Sequence, residues 1–584
     1  MAVNSLNTDV YRELTVAAVL LGLIQGIILN IAFAYIALKL GFSLGGSAIA
    51  AIFGYVFLRG ILRKGTIVEN SVNQTIASGI NSAGTGVIFV LPALFLLGLH
   101  GNSVLSIWPL LLAGIGGAIL GVVVIIPLRK QLIEIERLRF PTGVAVATII
   151  RSGATGGDKG KLLGIGFLIS AIWKLLMISG WLESPGVLEN EELNLSFGLL
   201  PAYFATALSL SLLNFAVGLL SGRAGLPFFF GGILAWWVIS PVSVTAGWVP
   251  VELSNQALVD FIYIEMLRPL GIGILIGAAL MEVLVNFPAL KSAIYSLAMA
   301  SRTASHKDGR DEMPFWLLLA GGGAAIVFFF IAAWSTPDVS IIQATFVALL
   351  ATLWLGLAGL IVAQCTGLTD MSPVSGIALI TITMMMIVVN GNVAAALIVT
   401  LAAAVAIAQS ADMMQDLKTG FMLGNRPILQ QLVQFGTSWL GVIIAFFVIY
   451  VLWSSGAGGE NGFGYGTSLP APQATALMSI IEAVQNDTVP TNKYVLGGIV
   501  GILLGAAPVA SLGILVGLAM YLPFSVTLSY GLGCLTQMSI TKHQGEAFTE
   551  NKLIPLAAGL IIGEALMGIG GALYEIIQST GGTG

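Results

Sequence analysis

Residues 67–89 read IVENSVNQTIASGINSAGTGVIF, and apolar runs long enough to cross a membrane flank them on both sides. The stretch contains one carboxylate and several amides but no Lys or Arg. These polar residues are Glu69, Asn70, Asn73, Gln74 and Asn81. A carboxylate inside a bilayer costs at least about 2.5–3.5 kcal/mol, so an ionisable residue at that depth is a candidate for function.

The composition establishes the class of protein. Of the 584 residues, 57% are hydrophobic and 9% are charged, whereas a soluble domain carries about 25% charged residues. Successive apolar segments reach the roughly 20 residues that a transmembrane helix needs. The sequence therefore predicts an all-α polytopic membrane protein, with about 16–17 transmembrane helices in two repeated halves, with re-entrant segments and with membrane lipid around it.

Charge and motifs argue against several functions. A net charge of −4 is unfavourable for a nucleic-acid partner. The two cysteines, Cys365 and Cys534, are far apart and predict neither a disulfide framework nor a soft-metal site. GATGGDKGKLL, around Lys161, lacks one glycine and the Ser or Thr of a phosphate-binding loop. HExxH and GxSxG motifs are absent from the sequence. We therefore expect no catalytic residue, no metal site and no cofactor, and we predict that the chain is not an enzyme.

Basic residues in short loops stay on the cytoplasmic side of a membrane, and they orient this chain as a multi-pass protein of the plasma (inner, cytoplasmic) membrane. The loops rich in Lys and Arg, which are predicted to be cytoplasmic, are 59–64, 129–139, 151–161 and 291–310. The loops with only acidic residues, which are predicted to be external, are 183–192 and 252–260. PTGVAVATII, 141–150, lies between two cytoplasmic loops and is too short to cross and return, so we predict that it is re-entrant. We expect residues 69–79 to dip into the membrane in the same way.

This orientation predicts the result of a labelling experiment. Single cysteines at Ser305 and Ser184 should react with a membrane-impermeant maleimide from opposite sides, because Ser305 lies in a predicted cytoplasmic loop and Ser184 in an external one. The measurement compares sealed vesicles of the two orientations. Labelling of both positions from the same side would contradict the orientation.

Internal repetition indicates a duplicated chain. RPLGIGILIGAALM, 268–281, resembles IPLAAGLIIGEALM, 554–567, and FPTGVAVATII, 140–150, resembles APQATALMSII, 471–481. The proline and alanine positions that align in the second match are Pro141, Ala145, Pro472 and Ala476. Two matches in the same order, each containing an aligned proline, favour a true duplication.

The duplication suggests a domain organisation. We predict an N-terminal transmembrane repeat over 1–287, a cytoplasmic polar loop over 288–313, a linking transmembrane segment over 314–334 and a C-terminal repeat over 335–584. If the linking segment spans the membrane, the second half is inverted relative to the first. The two proline segments would then approach the midplane from opposite sides, and a Trp at either aligned alanine would fill the pathway without unfolding the protein.

A second polar concentration lies in the C-terminal half, where 408–427 reads AQSADMMQDLKTGFMLGNRP. Its acids, amide and base at helical spacing are Asp412, Gln415, Asp416 and Lys418. They can share one wall of a cavity, and a solvated loop at the membrane surface is the alternative. In the first half, Lys174 is a lone cation in FLISAIWKLLMISGW. It either pairs with a carboxylate in the bundle or extends toward the nearer membrane face.

The amides of the opening stretch have two interpretations. On a helix, Asn70, Asn73 and Gln74 share one face with Glu69 beside it. Amides donate and accept hydrogen bonds, which suits the peptide groups or carboxylates of a ligand. Alternatively, the amides cap broken helix ends and join neighbouring helices. We predict that these four residues contact substrate or a coupling ion.

Four segments resemble signature segments of the oligopeptide transporter family, closest to its yellow stripe-like and prokaryotic branch. They are ENSVNQTIASGINSAGTGVIFVLPALFLLG (69–98), SPVSG (372–376), DLKTGFMLGNRPILQQ (416–431) and GLIIGEALMGI (559–569). The likeness covers nearly the whole chain. It implies proton-coupled symport of small peptides or of metal complexes of amino-acid-like chelators. Met371, Asn425 and Arg426 depart from the family pattern, which bears on substrate identity more than on mechanism.

These observations predict a secondary active symporter that works by alternating access. Protons are the expected coupling ion, because a carboxylate in a partly dry cavity can take up a proton near the working pH. Glu69 is the first candidate carrier, followed by Asp412 or Asp416, and Glu69→Gln is expected to abolish gradient-driven uptake. The alternatives are a passive channel and an ion-pumping pyrophosphatase, which needs dense acidic clusters for magnesium. The sequence leaves open whether a homo-oligomer forms.

Overall fold

The computed structural model describes most of the chain, with gaps. The described residues are 12–41, 46–63, 65–99, 107–152, 157–179, 188–189, 191–196, 200–250, 255–285, 312–337, 339–369, 374–389, 391–455, 462–464, 467, 469–486, 491–509, 512–520 and 522–581. The predicted cytoplasmic loop 291–310 lies outside these ranges, as do Ser184 and the SPVSG residues 372–373.

The described chain is almost entirely helical. In chain order its α-helices are α1 (Val16–Leu40), α2 (Ser47–Gly54), α3 (Ile67–Leu96), α4 (Ile107–Ile125), α5 (Pro141–Ser152), α6 (Gly157–Ile178), α7 (Leu212–Ser221), α8 (Leu226–Ile233), α9 (Ser240–Thr245), α10 (Asn255–Phe261), α11 (Arg268–Val285), α12 (Phe315–Trp334), α13 (Ile341–Thr369), α14 (Val374–Val388), α15 (Val393–Leu423), α16 (Pro427–Ser454), α17 (Pro472–Asn486), α18 (Thr491–Gly505), α19 (Leu512–Ala519), α20 (Phe524–Gln544), α21 (Glu546–Phe548) and α22 (Ile554–Gly581).

Short elements complete the fold. The π-helical turns are Tyr55–Ile61, Lys130–Ile135, Leu234–Ile239, Ile262–Leu267 and Thr549–Leu553. The 3-10 turns are Ile126–Leu128, Ala202–Phe204 and Gly222–Gly225. The strands, which form one small antiparallel sheet, are β1 (Leu188–Glu189), β2 (Glu192–Asn194) and β3 (Ala207–Ser209).

The predicted class is confirmed. Within the described ranges, eleven helical segments are long and apolar enough to cross a membrane, and three shorter apolar segments, Ser47–Ile61, Gly376–Val388 and Asn492–Gly505, accompany them. The protein is therefore an all-α polytopic membrane protein. The total of about 16–17 spans stays a prediction. Of the candidate spans, α3 and α15 are the most enclosed, each 89% buried over its apolar window, so they form the centre of the bundle.

The expectation that residues 69–79 dip into the membrane separately is wrong, because α3 runs without a break through them. Its 30 residues extend about 45 Å, which exceeds the roughly 30 Å of a hydrocarbon core. Its polar side chains do not break the helix, since several of them hydrogen-bond to neighbouring helices: Asn70 donates to Ala51 O and Gln74 donates to Asp416. A polar stretch can belong to a buried span when its partners lie across the interface.

The two central helices run antiparallel. Gln74 of α3 contacts Asp416 of α15, whereas Gly86, further along α3, packs against Val405, which is earlier on α15. A Cβ at Gly86 would lie 2.4 Å from the Cα of Val405, so the close crossing requires a residue without a side chain. On the flanks, α16 packs along α3 and α4 packs along α15.

The outer helices pair across the sequence halves in a reciprocal way. Helix α6 of the first half packs on α22 of the second, and α11 of the first half packs on α18 of the second. The proline segments follow the same rule. Phe140 N–H donates to Gly367 O of α13 (3.0 Å), and Ala471 N–H donates to Leu38 O of α1 (2.8 Å). Both donor residues have left-handed φ angles, 45° and 47°. Each aligned proline segment is thus anchored on the opposite half.

The linking segment is a helix. Phe315–Trp334 forms α12, which is apolar throughout and packs against α4 and α13. It therefore has the length and composition of a membrane crossing between the two halves of the chain.

Candidate functional site

A polar cluster lies where α3, α15 and α16 meet in the centre of the bundle. Asp416 is fully buried there. Gln74 Nε2 donates to Asp416 Oδ1 (2.6 Å) and Ser78 Oγ donates to Asp416 Oδ2 (2.6 Å). Gln430 Nε2 of α16 donates to the main-chain oxygen of Asp416 (2.9 Å) and to Thr75 Oγ1 (3.0 Å). Both oxygens of this carboxylate have short hydrogen bonds, which suit the ionised form.

Asp412 lies one helical turn away from Asp416, and its hydrogen bond is longer than those of Asp416. Asp412 is 7% exposed, Gln434 Nε2 donates to its Oδ2 at 3.1 Å, and the hydroxyls of Ser78 and Ser82 interact with its carboxyl group. Gln434 also donates to Gln409 Oε1 (3.0 Å), and Gln409 donates to Gly79 O. In the part of the chain that the structure describes, neither carboxylate forms an ion pair with a basic side chain. Two acids thus share a buried, amide-lined site.

The remaining predicted residues of this segment lie on another face of α15. Lys418 Nζ donates to Leu138 O (2.9 Å) and lies beside the ring of Phe421. Gln415, half-buried, borders α5, where a Cβ on Gly143 would lie 2.5 Å from its main-chain oxygen. The structure therefore brings Asp412 and Asp416 together in the core but separates them from Lys418. The alternative of a solvated surface loop is wrong for these acids, because they belong to a buried helix.

The polar residues in the first half of α3 have three kinds of partner: the cap of their own helix, the helices α1 and α2, and the buried acids of α15. Glu69 closes a capping box at the start of α3, accepting from Thr66 N–H (2.7 Å), while Thr66 Oγ1 accepts from Glu69 N–H (3.1 Å). This satisfies the free N–H groups of a helix terminus. Asn70 and Asn73 face α1 and α2, as the bond from Asn70 to Ala51 O shows. Gln74 is the member that reaches the buried acids.

Both proline segments form helices that contact the central bundle. Helix α5, which begins at Pro141, packs on the acidic end of α15, and Thr419 Oγ1 donates to Gly143 O (2.9 Å). Helix α17, which begins at Pro472, packs on α3 and α14. Ala145 is exposed, whereas Ala476 is fully buried. A Trp at Ala476 would therefore overpack a filled core rather than occupy a cavity.

Lys174 belongs to a buried ion-pair cluster. Its ammonium donates to the carboxylate of Glu191, and Lys39 Nζ lies 3.7 Å from the same carboxylate and 3.4 Å from Glu564. Burial alone would raise the pKa of Glu191, but the ammonium groups of Lys39 and Lys174 outweigh burial and hold that pKa below its usual value. Of the two interpretations of Lys174, pairing with a carboxylate is the one that the structure shows, and that carboxylate, Glu191, is half-buried.

Glu564 completes the cluster from the second half of the chain. It is fully buried and accepts from Ser211 Oγ (2.6 Å) and from Leu213 N–H (2.8 Å) at the start of α7. Sequence reasoning missed Lys39 and Glu564 as site residues, although each is a single charge in an apolar segment, the same signal that singled out Lys174. It also missed Gln430 and Gln434, whose four-residue spacing puts both on one face of α16.

Comparison of the sequence with known proteins identifies relatives of this chain. The sequence pattern of the family described as OPT oligopeptide transporter protein matches residues 13–574. The chain belongs to this family. The resemblance carried by the four signature segments is confirmed, and the protein is an oligopeptide-transporter-family membrane transporter rather than an enzyme.

Two relatives illustrate the range of names among the proteins that this chain resembles. A Haemophilus influenzae protein named "Putative oligopeptide transporter" is 26% identical, and the alignment covers 92% of this chain and 91% of that protein. The Arabidopsis thaliana protein named "Metal-nicotianamine transporter YSL2" is 24% identical over 77% of this chain and 75% of its own length. The relatives of this chain are therefore named for two different substrate classes.

Proposed function

We propose that the protein is a proton-coupled symporter of small peptides or metal–chelate complexes that works by alternating access between two inverted repeats. The names of the relatives supply the two substrate classes. Peptides and amino-acid-like chelators share carboxylates, amines and polar donor groups, which buried amides such as those of Gln74 and Gln434 can recognise. The plasma membrane is the proposed location, since the basic loops orient the chain as in other proteins of that membrane.

The course of the central helices supports an inverted repeat. Helices α3 and α15 hold equivalent places, since each follows a long helix and a short one in its own half. In a parallel repeat, equivalent spans cross the membrane in the same direction, whereas in an inverted repeat they cross in opposite directions. The antiparallel contact of α3 with α15 fits the inverted case, and α12 supplies the additional crossing between the halves.

The observation that carries the coupling proposal is the unequal hydrogen bonding of Asp412 and Asp416. An ionised carboxylate in a dry site needs strong donors or a cation. Asp416 has two donors at 2.6 Å. Asp412 has a longer amide bond at 3.1 Å, with the hydroxyls of Ser78 and Ser82 beside it, and it lies next to the charge of Asp416. Asp412 therefore holds the proton in this closed conformation, and Asp416 is the negative charge that ties α15 to α3.

Coupling then follows from a difference in proton affinity between conformations. A ligand shifts a conformational equilibrium only if it binds one state more tightly than the other. The buried site around Asp412 favours the protonated carboxyl, because a second ionised carboxylate would lie next to Asp416 with no basic side chain paired to it among the described residues. A conformation that admits water hydrates the carboxylate and releases the proton. Proton binding and release are in this way linked to closing and opening of the site.

Transport assays test this function directly. Purified protein in proteoliposomes should accumulate a peptide or chelate when the outside is acidic, and a protonophore should abolish the accumulation. Candidate substrates come from a thermal-shift screen with di- to tetrapeptides and with ferric and nickel chelates, because a ligand that binds the folded state raises Tm. A passive channel would instead give currents far above transporter turnover in a bilayer recording, without any accumulation.

A further inference from the structure

We propose that Lys39, Lys174, Glu191 and Glu564 form the external gate of the transport cycle, and that the Lys39–Glu564 ion pair is the contact that separates when this gate opens. The proposal rests on the alternating-access function proposed above. The four residues lie apart from the central Asp412–Asp416 cluster, and the coupling proposal does not involve them.

The charges of the cluster compensate one another at close range only while the cluster is closed. It contains two ammonium groups and two carboxylates, and the side chains of Lys39 and Glu564 are 5% and 0% exposed. Removing a partner from a buried ion pair leaves an uncompensated charge away from water, which is strongly unfavourable. The four charges therefore hold their elements together until water can enter, which is the behaviour that a gate requires.

Its position corresponds to the predicted external end of the bundle. Lys39 lies in the last turn of α1, and α1 runs parallel to α3, since Gly22 packs on Ile76 and Gly26 packs on Ile80. Helix α3 follows the predicted cytoplasmic loop 59–64, so both helices end on the external side. Lys174 is near the end of α6, which leads into the predicted external loop.

The contacts within the ion-pair cluster differ in length, and the difference indicates which contact separates when the gate opens. Glu564 keeps two short hydrogen bonds, from Ser211 and from the start of α7, without any contribution from Lys39. Glu191 keeps Lys174. The two contacts of Lys39, 3.4 and 3.7 Å, are longer than these. Movement of α1 away from α6, α7 and α22 therefore leaves both acids with partners and moves a single ammonium toward water.

The position equivalent to Glu564 in the other half carries no charge. The offset of 286 residues that aligns Pro269 with Pro555 (555 − 269) places Ala278 where the second half has Glu564 (564 − 286). Ala278 is fully buried and lies against Gly501 and Gly505 of α18. The interface equivalent to α6–α22 is thus closed at this position by small-residue packing, which needs no charge. The described ion pairs of the α11–α18 region, Lys493–Glu265 and Arg268–Glu482, join partly exposed side chains, so the buried pair Lys39–Glu564 distinguishes the α6–α22 side.

Cysteine accessibility tests the gate without requiring transport. Ala474, on the first turn of α17, is buried next to the anchor between Ala471 and Leu38, so Ala474→Cys reports opening beside Lys39. In a background with Cys365 and Cys534 replaced by Ala, Lys39→Met and Glu564→Gln should each raise the rate of labelling by external, membrane-impermeant maleimide at least tenfold. The double variant should label no faster than either single variant, because both remove the same contact. Lys39→Arg should restore the original rate.

Lys493→Met is the matched control. The Lys493 ammonium lies 3.9 Å from the Glu265 carboxylate, but the two side chains are 32% and 49% exposed, so water screens this pair and labelling should not change.

Unchanged labelling in both Lys39→Met and Glu564→Gln, or an increase only from the cytoplasmic side, would overturn the proposal. If Lys39→Met does not fold, Glu564→Gln decides alone, because it preserves side-chain volume. Loss of proton-driven uptake with normal gate labelling would count against the proposed function and not against the gate.

Discussion

Asp412→Asn is expected to abolish accumulation driven by a pH gradient while substrate binding and substrate exchange continue. The amide that replaces the carboxyl cannot release a proton, yet it has nearly the same volume and can still bond to Gln434. Uphill uptake should fall to background, a loss of at least about tenfold, corresponding to about 1.4 kcal/mol or more of coupling. The measurement is uptake into proteoliposomes with and without an inward proton gradient, beside a counterflow assay.

The Asp416→Asn variant tests whether Asp416 carries the proton or is a charge that stabilises the helix bundle. Asp416 accepts bonds from Gln74 and Ser78, and a hydrogen bond to a charged group contributes about 1.5–3 kcal/mol. We therefore expect this variant to unfold at a lower temperature and to lose uptake and exchange in equal proportion. Selective loss of gradient-driven uptake in Asp416→Asn, with Asp412→Asn unaffected, would reverse the two assignments.

Glu69→Gln discriminates between the sequence-based prediction and the structural proposal. The polar stretch alone predicts that this change abolishes gradient-driven uptake. The capping box at Thr66 supports a different result, because Gln closes a capping box as Glu does. With Asp412 as carrier, Glu69→Gln should retain uptake close to that of the unmodified protein. Its loss, with exchange intact, would identify Glu69 as the carrier.

The largest effect on stability is expected for Gly441→Ala. A Cβ at this position would lie 1.8 Å from Ile80 O and 3.0 Å from Asn30 Nδ2. Asn30 Nδ2 also donates to the main-chain oxygens of Ile80 and Gly441, so the added methyl separates α16 from both α1 and α3. Overpacking typically costs about 1–3 kcal/mol and occasionally more, and a clash with main chain at this distance belongs to the upper end of that range. We expect a strongly lowered Tm in detergent and little folded protein in the membrane.

Gly436→Ala provides the control on the same helix. No atom would lie within 4 Å of a Cβ at Gly436, and Ala is favoured over Gly in a helix by about 1 kcal/mol. This variant should therefore keep or slightly raise Tm. Equal Tm values for the Gly436 and Gly441 variants would mean that the contact of α16 with Ile80 does not hold the central bundle together.

Composition and local pattern were sufficient to predict the class of the protein. A chain with 57% hydrophobic residues has too little polar surface for a soluble fold. In lipid the backbone must satisfy its own hydrogen bonds, and a helix does so within one segment. The four signature segments likewise needed only residue order to indicate the family. The two polar concentrations, around Asn73 and around Asp412, were visible as departures from an apolar background.

The partners of those polar residues depended on tertiary structure. Gln74 and Asp416 are 342 positions apart, and no local pattern states that they meet, because the antiparallel crossing of α3 and α15 is decided by small residues that let two backbones approach. The same holds for Lys39 and Glu564, 525 positions apart. Continuity of α3 through its amides was also a tertiary result: an amide breaks a helix or stabilises a bundle according to whether a neighbouring helix supplies its hydrogen-bond partner.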